Sequence, residues 1–260
     1  MRLLILGGTK FLGRAIVDAA LARGHELTLF NRGQTNPELF PEVEKLRGDR
    51  DGKLEALRGR EWDAVVDVAG FVPRVVRQSV KLIDAPYYLF VSTRSVYADF
   101  DTEFDEESPT HGDVESEEVM EHYGPLKAMC ERVAQQRPGA IVRPGLIVGP
   151  HDPTGRFTYW PHRIALGGDV LAPAPRDEPV TLIDVRDLGE WMELPLWVAS
   201  GENRGLHHVS NARAVAAGLT FRPIEEVARA TLEHAQTTDD AGLKPERETE
   251  LLSSWLASTT

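Results

Sequence analysis

Cysteine is almost missing from this chain. Cys130 is the single thiol in 260 residues, so no intrachain disulfide can form, a four-cysteine zinc site is excluded, and a reducing compartment is the simpler expectation. Long hydrophobic runs are missing too. No stretch approaches the ~20 apolar residues of a membrane-spanning helix, and even Ala64 to Val72 is broken by Asp67. Met1 to Leu6 runs straight into glycines, without the longer apolar region and small-residue cleavage site of a signal peptide. A cytoplasmic protein is expected. Positive charge is in deficit: 29 Lys and Arg stand against 41 Asp and Glu, a formal net charge of −12. The field outside such a chain repels polyanions on average, which argues against nucleic-acid and anionic-membrane partners.

What is present reads as a globular enzyme-like composition, 42% apolar and 27% charged, with enough chain for one large domain and an appended lobe. Short apolar runs alternate with segments of helical period: Leu3 to Leu6, then Phe11 to Arg23; Glu26 to Phe30; Ala64 to Val68, then Val75 to Ile83; Tyr88 to Val91, then Val119 to Gln135; Ala140 to Val142. Strand and helix repeated this way imply an α/β fold, a doubly wound parallel sheet covered on both faces. The first domain is expected over residues 1–150, with a small C-terminal substrate lobe over 151–260. Strand 180–183 and helix 184–199 are expected to interleave with the first domain. Two stretches break the rhythm. The acid-rich Asp99 to Glu121 contains Pro109 and Gly112 and reads as a solvated loop, and Leu171 to Pro179 holds three prolines and reads as an extended connection.

Ile5-Leu6-Gly7-Gly8-Thr9-Lys10-Phe11-Leu12-Gly13 follows the first strand and opens the first helix. That is the setting of a dinucleotide-binding (Rossmann) turn, where amides at a helix N-terminus hold a pyrophosphate. Gly7, Thr9, Lys10, Phe11, Leu12 and Gly13 are the candidate contacts. The usual middle glycine is replaced by Lys10, whose charge can act beside the phosphates. The acid that would end the second strand in an NAD-binding chain is also missing; Asn31-Arg32-Gly33 stands there. A guanidinium at that point can pair with the 2′-phosphate of NADP, which a carboxylate would repel. NADP is the expected cofactor, with NAD as the alternative.

Tyr123-Gly124-Pro125-Leu126-Lys127 sets a tyrosine and a lysine four apart, on one face of a helix. With the glycine turn and the strand-end segment Phe90-Val91-Ser92-Thr93-Arg94-Ser95-Val96-Tyr97, it makes the chain resemble the short-chain dehydrogenase/reductase superfamily, in its extended or atypical epimerase/dehydratase-like branch, over most of residues 1–210. Further segments resemble that family in order. Gly48-Asp49-Arg50 is similar to its adenine-contacting turn and Asp67-Val68-Ala69-Gly70 to the strand end against the cofactor. Arg143-Pro144-Gly145 onward is similar to the segment facing nicotinamide, and Leu182 to Leu188 to a substrate-lobe segment. The resemblance implies a catalytic set of Thr93, Tyr123 and Lys127. Thr93 would polarise the substrate oxygen, Tyr123 exchange its proton, and Lys127 hydrogen-bond the nicotinamide ribose. Asp49, Arg50, Ala69, Gly70, Pro144 and Gly145 are the further cofactor contacts that it implies. A tyrosine hydroxyl, with a reference pKa near ~10, needs a nearby cation to serve as acid or base at neutral pH; Lys127 would supply it.

The pattern also departs from the family. Sugar-nucleotide enzymes of this branch commonly carry asparagine where this chain has Gly145, and the 4,6-dehydratases follow the threonine with two acids where Arg94 and Ser95 stand here. Dehydration is not expected, and a small carbonyl or alcohol substrate fits with fewer parts. The glycine turn and Phe30-Asn31-Arg32-Gly33 also look like a subgroup that includes chloroplast stem-loop RNA-binding proteins. The leading expectation is an NADP-dependent oxidoreductase; the alternatives are an NAD-dependent sugar-nucleotide epimerase and a non-catalytic, RNA-associated dinucleotide-binding protein. His151-Asp152-Pro153-Thr154-Gly155-Arg156 suits a pocket rim, so His151, Arg156 and Arg94 are weaker substrate candidates. His207 and His208, adjacent on an expected strand, point to opposite faces and cannot share a metal; no metal is expected. Leu251, Leu252 and Trp255 at helical spacing suit core packing or a dimer contact. By analogy with relatives that pair through two helices, a homodimer is the expected assembly. After Gly205 to Val209 the chain passes directly to motifs resembling the far end of longer relatives, which implies an internally shortened substrate lobe.

Overall fold

The computed structural model describes residues 1–99, 105–171, 181–198, 211–234 and 242–259. Six parallel strands form the main sheet: β1 (Arg2–Leu6), β2 (Glu26–Asn31), β3 (Glu44–Arg47), β4 (Ala64–Asp67), β5 (Tyr88–Val91) and β6 (Gly139–Val142), in the order β3-β2-β1-β4-β5-β6. This is the doubly wound order, and the direction of winding reverses across the sheet at the β1/β4 boundary, where such sheets take ligands beyond their C-terminal strand ends. Leu3 to Leu6 and Ala64 to Val66 are almost fully buried, as expected of central strands covered on both faces.

Helix α1 (Leu12–Ala22) turns Ile16, Val17 and Ala20 inward. Helix α2 (Pro73–Leu82) begins with proline at its first turn, where the missing N–H costs nothing. Helix α3 (Val119–Ala134) is kinked at His122, whose backbone is non-helical, so its regular part starts at Tyr123 and accommodates Pro125 in its first turn. β3 has a single apolar residue, Leu46, and lies at the sheet edge with one hydrogen-bonded neighbour.

The chain divides into two compact units, Met1–Gly145 with Arg186–Thr220, and Leu146–Val185 with Phe221–Thr260. In the second unit, β7 (Leu146–Val148) pairs in parallel with β8 (Leu182–Asp184) in a separate two-stranded sheet. The remaining helices are α4 (Tyr159–Ala165), α5 (Val185–Val198), α6 (Asn211–Ala216), α7 (Ile224–Glu233) and α8 (Pro245–Thr259). Arg163 on α4 pairs with Glu248 on α8 at 2.5 Å. The proline-rich connection beyond Leu171, the segment holding His207 and His208, and the side chain of Trp255 lie outside the described residues. No described helix is long and apolar enough to cross a membrane.

Candidate functional site

The glycine turn closes tightly between β1 and α1. Gly7 adopts φ 118°, and a Cβ there would meet Val68 Cγ2 at 2.7 Å; a Cβ on Gly13 would meet Gly8 N at 2.9 Å and Gly8 Cα at 3.0 Å. The turn therefore tolerates no side chain at either position. Two amides pin it: Asn31 Nδ2 donates to Gly7 O and Asn36 Nδ2 to Thr9 O, both at 2.9 Å. Phe11, just before α1, has φ 42°, a conformation L residues rarely adopt and one of the kinds of backbone strain that cluster at ligand sites. Thr9 and Leu12 are buried and Lys10 is exposed. The first N–H groups of α1, which a helix leaves without intrahelical partners, begin here. A cradle without room for a Cβ, at a helix N-terminus and at the switch point of the sheet, fits a dinucleotide pyrophosphate.

At the end of β2, Asn31 Oδ1 accepts from Gly33 N at 2.9 Å and from an Arg47 guanidinium N–H. Both hydrogen-bonding ends of the Asn31 amide are thus engaged by the protein. Arg32 and Arg47 are exposed. Nothing in the sequence marked Arg47, which belongs to an edge strand without an apolar pattern.

Lys127 occupies the C-terminal ends of β4 and β5. The residue is 3% exposed, and its ammonium donates to Gly70 O at 2.7 Å and Val91 O at 2.6 Å, 4.2 Å from the centre of the Phe90 ring. Burial pulls its pKa down to about 8, partly offset by the negative charge of Asp67. Tyr123, one helical turn earlier, is 37% exposed, and its ring centroid lies 6.5 Å from that of Phe71, itself 43% exposed. Gly124 explains how α3 comes so near: a Cβ there would lie 2.2 Å from Ser95 O. Thr93 caps the short turn Arg94–Val96, accepting from Ser95 N and donating to Ser95 Oγ, both at 3.2 Å. The neighbouring Ser92 hydroxyl is buried without a hydrogen-bond partner. Arg94 is exposed and its backbone N–H donates to Pro144 O at 3.0 Å, which ties the Pro144-Gly145 segment to the threonine turn.

The structure gives Arg50 a different neighbourhood from the one its motif suggests. Its guanidinium forks onto Asp67, at 2.6 and 2.7 Å, and onto Ser79 Oγ. Asp67 is fully buried and also accepts from Tyr88 Oη at 2.7 Å and Ala69 N at 3.1 Å. The hint was legible: a lone acid inside a buried strand must be paired. A Cβ on Gly70 would lie 3.2 Å from Asp67 Oδ2, so this ion pair shapes the Ala69-Gly70 turn whose carbonyl holds Lys127. Asp49 accepts from Asp51 N at 3.0 Å and stabilises its own turn. A second buried pair, Arg143 with Glu131 at 2.7 Å, braces the strand-end segment against α3, and the arginine also donates to Tyr97 Oη. Thus Gly7, Gly13, Ala69, Gly70, Thr93, Tyr123 and Lys127 gather along the C-terminal edge of one sheet. His151 and Arg156 belong to the second unit, where His151 stacks edge-on against His234 at 4.6 Å and Arg156 Nε donates to Thr154 Oγ1.

No protein-family model matches the chain. The chloroplast stem-loop binding protein of 41 kDa b from Arabidopsis thaliana is 24% identical over 213 residues, 72% of this chain, which spans about half, 53%, of that relative's length. Among solved structures, the UDP-glucose 4-epimerase of Thermus thermophilus in complex with NAD superposes with a TM-score of 0.65 at 18% identity, covering 90% of this chain and 98% of that one. The yeast methylglyoxal/isovaleraldehyde reductase Gre2 with NADPH gives 0.64 at 15% identity, with the same coverage. At these identities the likeness is one of fold: the chain shares the α/β architecture of this epimerase and this reductase.

Proposed function

We propose that the chain is an NADP-dependent oxidoreductase that interconverts a small carbonyl compound and its alcohol. The observation that carries this reading is the buried Lys127 ammonium, held by Gly70 O and Val91 O one helical turn from the half-exposed Tyr123. Its direct contacts are backbone oxygens and aromatic faces rather than a carboxylate, and in this reading the charge it keeps acts on the tyrosine one turn earlier. The dinucleotide, when bound, supplies the hydride chemistry.

The chain's residues do the rest. The glycine turn and the first N–H groups of α1 hold the pyrophosphate, and Arg32 takes the 2′-phosphate. Tyr123 Oη gives or takes the proton at the substrate oxygen, and the Lys127 cation stabilises the phenolate that this leaves. Thr93 Oγ1, turning from Ser95, holds the same substrate oxygen. The exposed rings of Phe71 and Tyr123 favour an apolar carbonyl substrate over a charged sugar nucleotide. The same fold in Gre2, a methylglyoxal/isovaleraldehyde reductase with NADPH, supports this class of reaction.

The name of the Arabidopsis relative favours a second reading, recognition of a stem-loop nucleic acid. The net charge of −12 weighs against it, because phosphate contacts dominate such affinities. The test is a set of small aldehydes and ketones followed by NADPH consumption at 340 nm, run beside UDP-glucose and a stem-loop RNA. Turnover of an aldehyde with NADPH is expected. Epimerisation of the sugar nucleotide with a cofactor that stays bound, or RNA binding without turnover, would overturn the proposal.

A further inference from the structure

We infer that Arg47 is the second arm of a two-guanidinium clamp for the 2′-phosphate of NADP, set in place by Asn31; the inference rests on the cofactor reading above. Arg47 ends β3 directly opposite Asn31, its register partner on β2. Its guanidinium donates to Asn31 Oδ1 and lies over the Asn31-Arg32-Gly33 turn, where a Cβ on Gly33 would meet Arg47 Cζ at 3.0 Å and Nε and Nη1 at 3.1 Å. Arg32, within the turn that follows β2, and Arg47, which reaches it from the end of β3, are therefore both borne at one short turn.

Their lack of acidic partners is informative. Among the described residues neither Arg32 nor Arg47 forms an ion pair, unlike Arg50, Arg60, Arg74, Arg132 and Arg143; Arg58, Arg77 and Arg94 are unpaired too, but none of these shares its turn with a second unpaired guanidinium as Arg32 and Arg47 do. In a chain with 41 acidic residues, two exposed guanidiniums at one turn without a carboxylate leave a local positive site against the overall charge. The contact with Asn31 uses one of the five guanidinium N–H donors and leaves the others for an anion.

Asn31 is the positioning residue. Its neutral amide oxygen orients Arg47 without neutralising it, and its Nδ2 donates to Gly7 O at 2.9 Å. One side chain thus ties the clamp to the turn that cradles the pyrophosphate, adding to the β1–β2 ladder and the bond from Gly7 N to Phe30 O at 3.0 Å that already hold the two together. Aspartate at this position would pair with Arg47 and repel a phosphate dianion, and its carboxylate would face Gly7 O with no N–H to donate.

The test is titration of the full chain with NADPH and NADH, read by nicotinamide fluorescence, together with competition by 2′-AMP and 5′-AMP. The wild type is expected to prefer NADPH and 2′-AMP. Arg47→Ala is expected to weaken NADPH and 2′-AMP by about tenfold or more, the loss of one charge-assisted contact, with NADH and 5′-AMP within about twofold. Asn31→Asp is expected to shift the preference toward NADH. Equal loss for both dinucleotides in Arg47→Ala, or an unchanged NADPH affinity, would overturn the clamp while a wild-type preference for NADPH still upholds the cofactor reading. A wild type that binds both alike, or neither, overturns both.

Discussion

Lys127 is buried as a cation, and this must be visible in how stability depends on pH. Its pKa of about 8 in the folded chain compares with ~10.4 for an unperturbed lysine. At ~1.4 kcal/mol per pH unit, the difference makes the buried ammonium cost about 3 kcal/mol at neutral pH. Between pH 8 and ~10.4 the unfolded chain holds one more proton at this site than the folded one, so stability rises with pH, by up to ~1.4 kcal/mol per unit. Below pH 8 both states hold the proton and the penalty stays whole. Lys127→Met removes that term. It also strips Gly70 O and Val91 O of their donor, a loss of ~1–3 kcal/mol for each oxygen left unsatisfied, which opposes the gain from removing the charge. The variant should therefore fold, with a stability near that of the wild type at neutral pH. Urea unfolding of both proteins at about pH 7, 8, 9 and 10 reads the effect as a difference of slopes. By the last of these the wild type should gain roughly 2.5 kcal/mol relative to Lys127→Met. Burial pushes Tyr88 and Cys130 upward, the thiol to about 12, so the unfolded chain loses those protons first and stability falls with pH on their account, a contribution that both proteins carry and the difference of slopes removes. Parallel pH profiles would refute the claim that burial holds the Lys127 pKa below its ordinary value.

Asp67→Asn should destabilise by ~3–5 kcal/mol, because it leaves Arg50 buried opposite a neutral group, whereas Arg50→Met combined with Asp67→Leu should lose much less; thermal denaturation of both variants decides between an essential ion pair and one replaceable by apolar packing. Gly124→Ala drives a methyl onto Ser95 O, and the displaced α3 should cost ~1–3 kcal/mol and most of the turnover; a variant with wild-type melting and activity would contradict the packing argument. Phe71→Ala removes the aromatic wall beside Tyr123 and should raise KM for aromatic aldehydes several-fold while leaving that for acetaldehyde nearly unchanged; equal changes for the two substrates would count against a substrate-facing ring.

Much of the architecture was legible because parallel strands buried on both faces are nearly unbroken apolar runs. Leu3 to Leu6, Ala64 to Val66 and Tyr88 to Val91 are such runs, and the helices between them carry the complementary period. β3 has no such run for the opposite reason, since Glu44-Lys45-Leu46-Arg47 is an edge strand that needs little burial, and only the resemblance of Gly48-Asp49-Arg50 to a turn after a third strand pointed to it. The kink at His122 reflects how the acid-rich approach to α3 meets its regular part, which local spacing does not encode. At the site, the glycine turn and the tyrosine–lysine pair could be read because each is local in sequence. Arg47 on Asn31, Arg50 on Asp67 and Arg143 on Glu131 join residues 12 to 17 positions apart across turns and strands. Such pairings depend on register and packing, and no spacing rule exposes them.

Everything in the proposed chemistry turns on Tyr123 moving the proton while the other residues only bind and orient. The decisive comparison is Tyr123→Phe against the wild type, in NADPH affinity and in aldehyde turnover, because the ring and its packing against Phe71 persist and only the hydroxyl is lost. NADPH binding should stay within about twofold of wild type, with turnover reduced by at least the ~10²-fold contributed by a positioned acid. Turnover that survives the loss of that hydroxyl would show that the proton travels by another group.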